Sequence, residues 1–500
     1  MTKLARSLGV LLPIPALPSR WGIGDLGPAA YRFAEQLAQA GVRYWQLLPW
    51  GPTTPALDNS PYNALSAFAG NPLWISPEQL YAEGFCRRQD LAHLQPYAAQ
   101  VDYAALTVER MEFLSRCFER STYWRHHSAD FEEFCSRAGS WLEEWVLFAV
   151  LREHFRGAPW YEWTPEYRRP SGGQLGVIRR RYANRLEFHR WVQFLFFRQM
   201  ERLRSWCLER GVELIGDLPL FVADDSADVW AHPERFLLMP DGRPEYLSGA
   251  PPDVYNPQGQ LWGQPLYRWE VHRAERFQWW MERVSHALRY ARWLRLDHFR
   301  GYVACWAVRS GASTAAEGNW MPTPGEELFR LFQSRWMPLP FLPEDLGTIT
   351  PDVELLRCRL GLPSMRVLLF AFPDPACNPH APHSCGENTV LYTSLHDTPP
   401  VRGWFLQAPE PVRKSVARYC GHAVSARSVH RDFLRLALQS AAWLVVVPVQ
   451  DVCGLGAEAQ INRPGTTLGN WRWRLSPGMP HARHWEQLAE MSALFGRYWR

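Results

Sequence analysis

The sequence has very little lysine, no long apolar run and no paired cysteine motif, and each absence argues against a class of function. Its 54 basic residues include only two lysines, Lys3 and Lys414. This excludes a phosphate-binding loop that ends in lysine and argues against lysine Schiff-base chemistry. No stretch approaches the roughly 20 uninterrupted apolar residues of a membrane span. The formal net charge of +4 comes without a basic cluster, so we expect neither nucleic acid nor a membrane as a partner.

The ten cysteines are scattered along the chain, without the two-residue spacing that indicates zinc or a redox pair. We therefore expect free thiols. The apolar residues 8–17 imitate a secretory leader, but Pro13 and Pro15 interrupt them. We interpret this segment as the first strand of a cytoplasmic protein.

Aromatic residues are abundant, with 26 Trp, 25 Phe and 18 Tyr. Indole rings stack well on the apolar faces of sugars, which would suit a carbohydrate-binding groove. A core that is simply rich in tryptophan would give the same composition, so both interpretations remain open at this point.

Eight short apolar runs, separated by segments of helical period, predict buried parallel strands that alternate with helices. This pattern favours an α/β fold, a (β/α)8 TIM barrel with inserted, mainly helical subdomains. We expect residues 1–72 and 211–500 to form the barrel and residues 73–210 to form an inserted helical subdomain. The predicted strands are residues 9–14, 43–49, 212–219, 293–297, 341–345, 366–372, 389–394 and 443–450.

Acidic residues follow most of these runs, where a barrel of this type carries its active site. They are Asp217, Asp297, Glu344, Asp345, Asp397 and Asp451. Such a group is typical of glycoside chemistry or of a divalent-metal site. Arg295 lies two residues before Asp297, so both side chains should point the same way, and its charge should keep Asp297 ionised. The charge of Asp345 should raise the pKa of Glu344, as a general acid requires.

Several segments together resemble the 4-alpha-glucanotransferases, also called amylomaltases or disproportionating enzymes, over essentially the whole chain. The resemblance is weak only from about residue 74 to 210. The matching segments are residues 17–27 (LPSRWGIGDLG), 44–52 (YWQLLPWGP), 60–72 (SPYNALSAFAGNP), 217–222 (DLPLFV), 225–230 (DSADVW), 259–267 (GQLWGQPLY), 295–301 (RLDHFRG), 344–347 (EDLG), 395–397 with 403–404, and 462–473 (NRPGTTLGNWRW).

The resemblance implies a retaining, two-step transfer on α-1,4-glucans, with maltodextrins as partners and no cofactor, metal or obligate protein partner. It implies that Asp297 is the nucleophile, Glu344 the general acid and base, and Asp397 the acid that stabilises the transition state. The implied substrate-binding residues are Ser60, Tyr62, Asp217, Gln260, Trp262, Arg295, His298, His396 and Asn462. The alternatives are a hydrolase of the same sugars, a catalytically decayed glucan-binding protein and, from the acids alone, a metal-dependent hydrolase.

The chain departs from the family pattern close to these acids. Thr398 and two prolines follow Asp397, Pro343 precedes Glu344, and Gln460 and Val254 replace a frequent Arg and Tyr. Because all three proposed catalytic acids are retained, we expect the departures to alter rate and chain-length preference without changing the reaction class.

Overall fold

Each of the eight predicted runs overlaps a strand of one parallel sheet. The computed structural model describes residues 4–253 and 256–499, so Val254 lies outside the described residues. The strands of this sheet, numbered along the whole chain, are β1 (Ser7–Leu11), β2 (Tyr44–Gln46), β3 (Glu213–Leu218), β6 (Trp293–Leu296), β9 (Phe341–Pro343), β10 (Ser364–Val367), β11 (Thr389–Tyr392) and β12 (Leu444–Pro448). Their order is β10-β11-β12-β1-β2-β3-β6-β9, which confirms the predicted (β/α)8 barrel.

One strand lies earlier in the chain than the pattern predicts. Residues 366–372 are expected to be extended, but β10 begins at Ser364 and ends at Val367, and a 3-10 turn follows over Leu368–Phe370. The backbone N–H of Val367 donates to Nδ1 of His380 at 3.1 Å. This bond takes the chain out of the strand ladder.

The end strands β9 and β10 contact each other, and a side chain completes the junction between them. Pro340 and Pro343 have no N–H to donate to a ladder. The carboxylate of Asp345 accepts a 2.6 Å hydrogen bond from the backbone N–H of Met365. The proline-rich fifth run therefore forms the strand β9, but its connection to β10 is made by the side chain of Asp345.

Helices surround the sheet and fill the long interval between β2 and β3. The first ten are α1 (Pro28–Gln39), α2 (Pro77–Ala82), α3 (Arg88–Leu91), α4 (Tyr103–Arg120), α5 (Thr122–His126), α6 (Ala129–Ala138), α7 (Ser140–His154), α8 (Pro165–Arg168), α9 (Gly172–Arg181) and α10 (Ala183–Glu209). The others are α11 (Ala227–Ala231), α12 (Trp269–Ala274), α13 (Gln278–Ala287), α14 (Gly325–Arg335), α15 (Pro351–Arg359), α16 (Val401–Gln407), α17 (Glu410–Cys420), α18 (Val429–Gln439), α19 (Val449–Cys453) and α20 (Ala482–Leu494).

The long helix α10 contacts α1, α7 and β3, and so joins the helices before it to the barrel. The division into a barrel and an inserted subdomain at residues 73–210 stays a prediction. Within the described ranges, no helix is both long and apolar enough to span a bilayer.

A second sheet, which the sequence analysis did not predict, stands beside the end of β6. Its strands are β4 (Tyr246–Ala250), β5 (Gln260–Pro265), β7 (Ala304–Arg309) and β8 (Gly318–Pro322). They are antiparallel and lie in the order β5-β4-β7-β8. The amide of Gln264 on β5 donates to Asn63 Oδ1 at 2.7 Å, which ties this sheet to the loop after β2.

Candidate active site

The guanidinium of Arg295 joins three of the strand-end acids. Its Nη1 lies 2.9 Å from both carboxylate oxygens of Asp217 and 3.1 Å from Oδ1 of Asp297. Its Nη2 lies 3.3 Å from Oε2 of Glu344. Arg295 and Asp217 are paired across β6 and β3, while Asp297 and Glu344 lie just beyond the ends of β6 and β9. The barrel register therefore brings together groups that are far apart in sequence.

The backbone holds the two proposed reacting acids firmly. Asp297 N–H donates to the carbonyl of Leu218 at 3.1 Å, and Glu344 N–H donates to the carbonyl of Leu296 at 2.9 Å. The carboxylate of Glu344 also accepts a 2.8 Å bond from the backbone N–H of His298. His298 has a left-handed backbone (φ 50°), which turns the chain sharply directly after Asp297.

Tyr62 and His396 form the next layer of the site. The hydroxyl of Tyr62 donates to Oδ2 of Asp217 at 2.8 Å and lies 3.0 Å from Nε2 of His396. The two rings are stacked, with centroids 5.5 Å apart and planes 9° apart. Ser60 accepts a 3.3 Å bond from the N–H of Tyr62 and so caps the short turn that carries this ring.

Asp397 is held by its neighbour in sequence and by a distant amide. One carboxylate oxygen lies 3.3 Å from Nε2 of His396, and the other accepts a 2.6 Å bond from Asn462 Nδ2. Gln460 donates at 2.8 Å to the carbonyl of Asn462. Asp397 is followed by a turn in which the hydroxyl of Thr398 accepts the N–H of Leu395 at 2.9 Å. The departures Gln460 and Thr398 thus shape the surroundings of Asp397 without replacing it.

Trp262 and Gln260 on β5 reach the site from the second sheet. The indole of Trp262 packs edge-on against His298, with centroids 4.7 Å apart, and its N–H donates to Gln260 Oε1 at 3.2 Å. Nε2 of His298 is buried and has no hydrogen-bond partner within the described protein. A buried polar atom of this kind is available for a ligand hydroxyl.

Burial and the mutual repulsion of the carboxylates set the protonation of the site. Burial raises the pKa of Asp297 to about 8, assisted by the charges of Glu344 and Asp217, although Arg295 acts in the opposite direction. Burial also raises the pKa of Glu344, against the effects of Arg295 and the N–H of His298. Arg295 lowers the pKa of Asp297, as expected, but burial outweighs it, so the expectation that its charge keeps Asp297 ionised is wrong. The two acids affect each other's titration, and each holds its proton to a higher pH than a free carboxyl does.

Asp397 behaves differently. Burial would raise its pKa, but His396 and the amide of Asn462 lower it to a net value below the usual range for an aspartate. The same contact with Asp397 raises the pKa of His396 in spite of burial. Asp397 is therefore ionised at neutral pH.

Two strand-end acids do not belong to the site. Asp345 is expected from its position to raise the pKa of Glu344, but it points away, accepts hydrogen bonds from Met365 N–H and Arg366, and forms an ion pair with Arg357. Asp451 accepts a 2.7 Å hydrogen bond from the backbone N–H of Val401. It also accepts hydrogen bonds from the hydroxyls of Thr393 and Ser394, which follow β11. Burial raises the pKa of Asp451 to about 6. Both carboxylates stabilise the scaffold.

The arrangement combines two acids of raised pKa, Asp297 and Glu344, a third acid of lowered pKa, Asp397, and the aromatic side chains of Tyr62 and Trp262. No group of three or more His, Cys, Asp or Glu side chains in the described part of the chain is placed to hold a metal ion. Sequence reasoning also missed Trp471, whose ring packs against both Tyr62 and His396 at centroid distances of 5.9 and 6.1 Å. Only its place within the 462–473 segment pointed to it.

Comparisons with known proteins agree with this chemistry. A family model described as 4-alpha-glucanotransferase matches residues 12–480. The 4-alpha-glucanotransferase of Aquifex aeolicus is 40% identical over 492 residues, covering 98% of this chain and 99% of that protein. The enzyme of Thermus thermophilus is 41% identical over 498 residues, with 98% and 99% covered.

A solved structure, the amylomaltase from Streptococcus agalactiae in complex with acarbose, superimposes with a TM-score of 0.95 at 30% identity. The match covers 99% of this chain and all of that one. With the family model and the full-length relatives, this establishes that the chain belongs to the 4-alpha-glucanotransferase family, glycoside hydrolase family 77.

Proposed function

We propose that this protein transfers α-1,4-glucan segments from a donor maltodextrin to an acceptor glucan or glucose by a retaining double displacement. The observation that carries the proposal is the joining of Asp217, Asp297 and Glu344 by the one guanidinium of Arg295. Asp397 is connected to this cluster through His396, whose Nε2 also contacts the hydroxyl of Tyr62, the donor to Asp217. A retaining glycosidase needs one carboxylate that attacks and one carboxyl that donates a proton, close together.

In the first step Asp297 attacks the anomeric carbon, the bond from that carbon to the glycosidic oxygen breaks, and Glu344 gives its proton to the departing oxygen. In the second step Glu344 takes the proton of an acceptor hydroxyl, whose oxygen displaces Asp297 from the anomeric carbon. Each step inverts the centre, so the product keeps the configuration of the donor. The carboxyl groups of Asp297 and Glu344 should lie about 5 to 5.5 Å apart, because an inverting enzyme needs about 6.5 to 9.5 Å.

The raised pKa of Glu344 suits a proton donor, whereas the attack requires the ionised form of Asp297. The reaction uses the state in which Glu344 carries a proton and Asp297 does not. Arg295 bonds both acids, so it can stabilise whichever one is charged. The ionised Asp397 binds sugar hydroxyls and stabilises the positive charge that develops on the ring.

The remaining residues would bind the substrate. We infer that Tyr62, His298 and His396 contact the sugar at the cleavage point. Gln260 and Trp262, on β5, bind the neighbouring part of the glucan chain. Ser60 and Asn462 act by holding Tyr62 and Asp397. The segment 73–210 would form an inserted subdomain that walls one side of the groove.

Incubation of the purified protein with maltotriose alone tests the reaction class. Transfer yields a ladder of maltodextrins with free glucose, whereas hydrolysis yields only glucose and maltose, and a decayed binding protein leaves maltotriose unchanged. The last two outcomes would contradict the proposal.

Two substitutions then test the roles. Asp297→Asn should remove nearly all turnover with an unchanged melting temperature. Glu344→Gln should act slowly on donors with good leaving groups, which need no proton, and should accumulate a glycosyl adduct on Asp297 that mass spectrometry detects. An adduct on another residue, or full activity of Asp297→Asn, would refute the assignment.

A further inference from the structure

The segment between β2 and β3 is hydrogen-bonded to the loop that carries Asn462. Residues 99–101 run alongside residues 472–474: the N–H of Val101 donates to the carbonyl of Arg472 at 2.8 Å, and the N–H of Arg474 donates to the carbonyl of Ala99 at 3.1 Å. At the first residue of α4, the hydroxyl of Tyr103 donates to the carbonyl of Trp471 at 3.0 Å. Tyr103 is only 4% exposed, so this hydroxyl is used within the protein.

Trp471, which accepts the bond from Tyr103, has an unusual backbone conformation. Its backbone is left-handed (φ 62°), a conformation that a bulky side chain adopts only when its surroundings impose it. Its N–H donates to the carbonyl of Ile461 at 2.8 Å, while its ring packs on Tyr62 and His396. Trp471 is therefore linked to the site through its ring, which contacts Tyr62 and His396, and through its backbone, which bonds the residue before Asn462.

Asn462 follows Ile461 directly and completes the path. Its backbone N–H donates to the carbonyl of His396 at 3.0 Å, and its amide donates to Asp397 at 2.6 Å. Three hydrogen-bonded links thus lead from the hydroxyl of Tyr103 to the carboxylate of Asp397.

A small cavity adjoins Trp471 and is lined mostly by apolar side chains that include Trp74, Tyr103, Ile461 and Trp473. Apolar side chains offer no substitute donor there, so without the hydroxyl of Tyr103 the buried carbonyl of Trp471 would lose its side-chain partner. The bond from Tyr103 therefore fixes the backbone at Trp471.

We propose that Tyr103 is a positioning residue for the transfer reaction: through Trp471 and Asn462 it holds Asp397 in the place where that acid stabilises the transition state. The inference rests on the proposed role of Asp397. It gives the helical segment between β2 and β3 a part in catalysis, although none of its helices supplies an acid to the site.

The test is Tyr103→Phe, which removes one oxygen and leaves the ring. A misplaced transition-state group costs rate more than binding, so kcat with maltotriose should fall about tenfold or more while KM changes less than about twofold. Tyr97→Phe is the matched control, because the hydroxyl of Tyr97 donates at 3.2 Å to the carbonyl of Leu475, in the same pair of segments but beyond Trp471. It should lower the melting temperature to a similar extent with kcat nearly unchanged.

A double-mutant cycle asks whether Tyr103 acts through Asn462. In an Asn462→Ala background, Tyr103→Phe should have little further effect on kcat, because the path is already broken. Unchanged kcat in the single Tyr103→Phe variant, equal kcat losses in Tyr103→Phe and Tyr97→Phe, or independent effects in the cycle would each overturn the proposal. Full activity of Asp397→Asn would instead overturn the proposed function itself, so the two failures are distinct.

Discussion

Replacing Arg295 by lysine separates the charge of the guanidinium from its geometry. The guanidinium presents a rigid fork in which Nη1 bonds Asp217 and Asp297 at 2.9 to 3.1 Å, while Nη2 reaches Glu344 at 3.3 Å. A lysine ammonium places its donors at a single point and cannot span the same three carboxylates. If the site needs only a positive charge, Arg295→Lys should be nearly silent.

We expect it to be severe. Loss of one charge-assisted hydrogen bond costs about 1.5 to 3 kcal/mol, and where that bond orients the attacking or proton-donating acid the loss corresponds to a fall of about 10- to 150-fold in kcat. Steady-state glucose release from maltotriose measures kcat, and calorimetry of the same sample measures folding. A kcat within about twofold of the parent enzyme would refute the reasoning.

The variant Arg295→Met completes the comparison because it removes the charge as well. Breaking a buried ion pair by deleting one partner destabilises a protein by about 3 to 5 kcal/mol. Without Arg295 the pKa of Asp297, already about 8, should rise further, so the folded state binds a proton that the unfolded chain releases above its ordinary pKa. The deficit should therefore grow as the pH rises from 7 to 10, through the pKa at which the parent's Asp297 ionises and the variant's does not. A deficit that is independent of pH would show that Arg295 acts mainly through packing.

Three further outcomes are expected. Trp262→Ala should raise KM for maltodextrins with little change in melting temperature, whereas a large fall in melting temperature would indicate a core residue. The control is Leu261→Ala, because Leu261 is the exposed neighbour on β5. Thr398→Asn should change the rate or donor preference measurably, because Thr398 closes the turn after Asp397, and unchanged kinetics would contradict this. The pH profile of kcat/KM should fall on the alkaline side above the ordinary pKa of a glutamate, where Glu344 loses its proton, and a profile flat to pH 10 would contradict this role.

The sequence located the site through the ends of its strands. Asp217, Asp297 and Glu344 come at or just after buried runs, and the carboxyl ends of parallel strands meet on one face of a barrel. Local pattern is sufficient for this because each run is short and ends abruptly in polar residues. The resemblance to a known family then added roles for these acids that pattern alone left open between sugar chemistry and a metal site.

Other features depended on contacts that a linear pattern does not contain. Alternation along an extended chain indicates that Glu344 and Asp345 point to opposite sides, but the groups that bind Asp345, the N–H of Met365 and the guanidinium of Arg366, are brought to it only by the fold. The raised pKa of Asp297 arises from burial among carboxylates of other strands. The bond from Tyr103 to Trp471 spans 368 residues, and only the packed fold brings its two ends together.

At Arg497 the presence of arginine rather than lysine has a structural reason. This side chain is 1% exposed, and its three nitrogens donate to five carbonyls between 2.7 and 3.3 Å away, which close the chain after α18 onto the start of β1. An ammonium has three donors and is harder to desolvate, so lysine could not satisfy this cage. The same planar array of guanidinium donors that bonds several carbonyls at Arg497 bonds several carboxylates at Arg295. Where buried cations must face several acceptors at once, the fold requires arginine for its stability as well as for its chemistry.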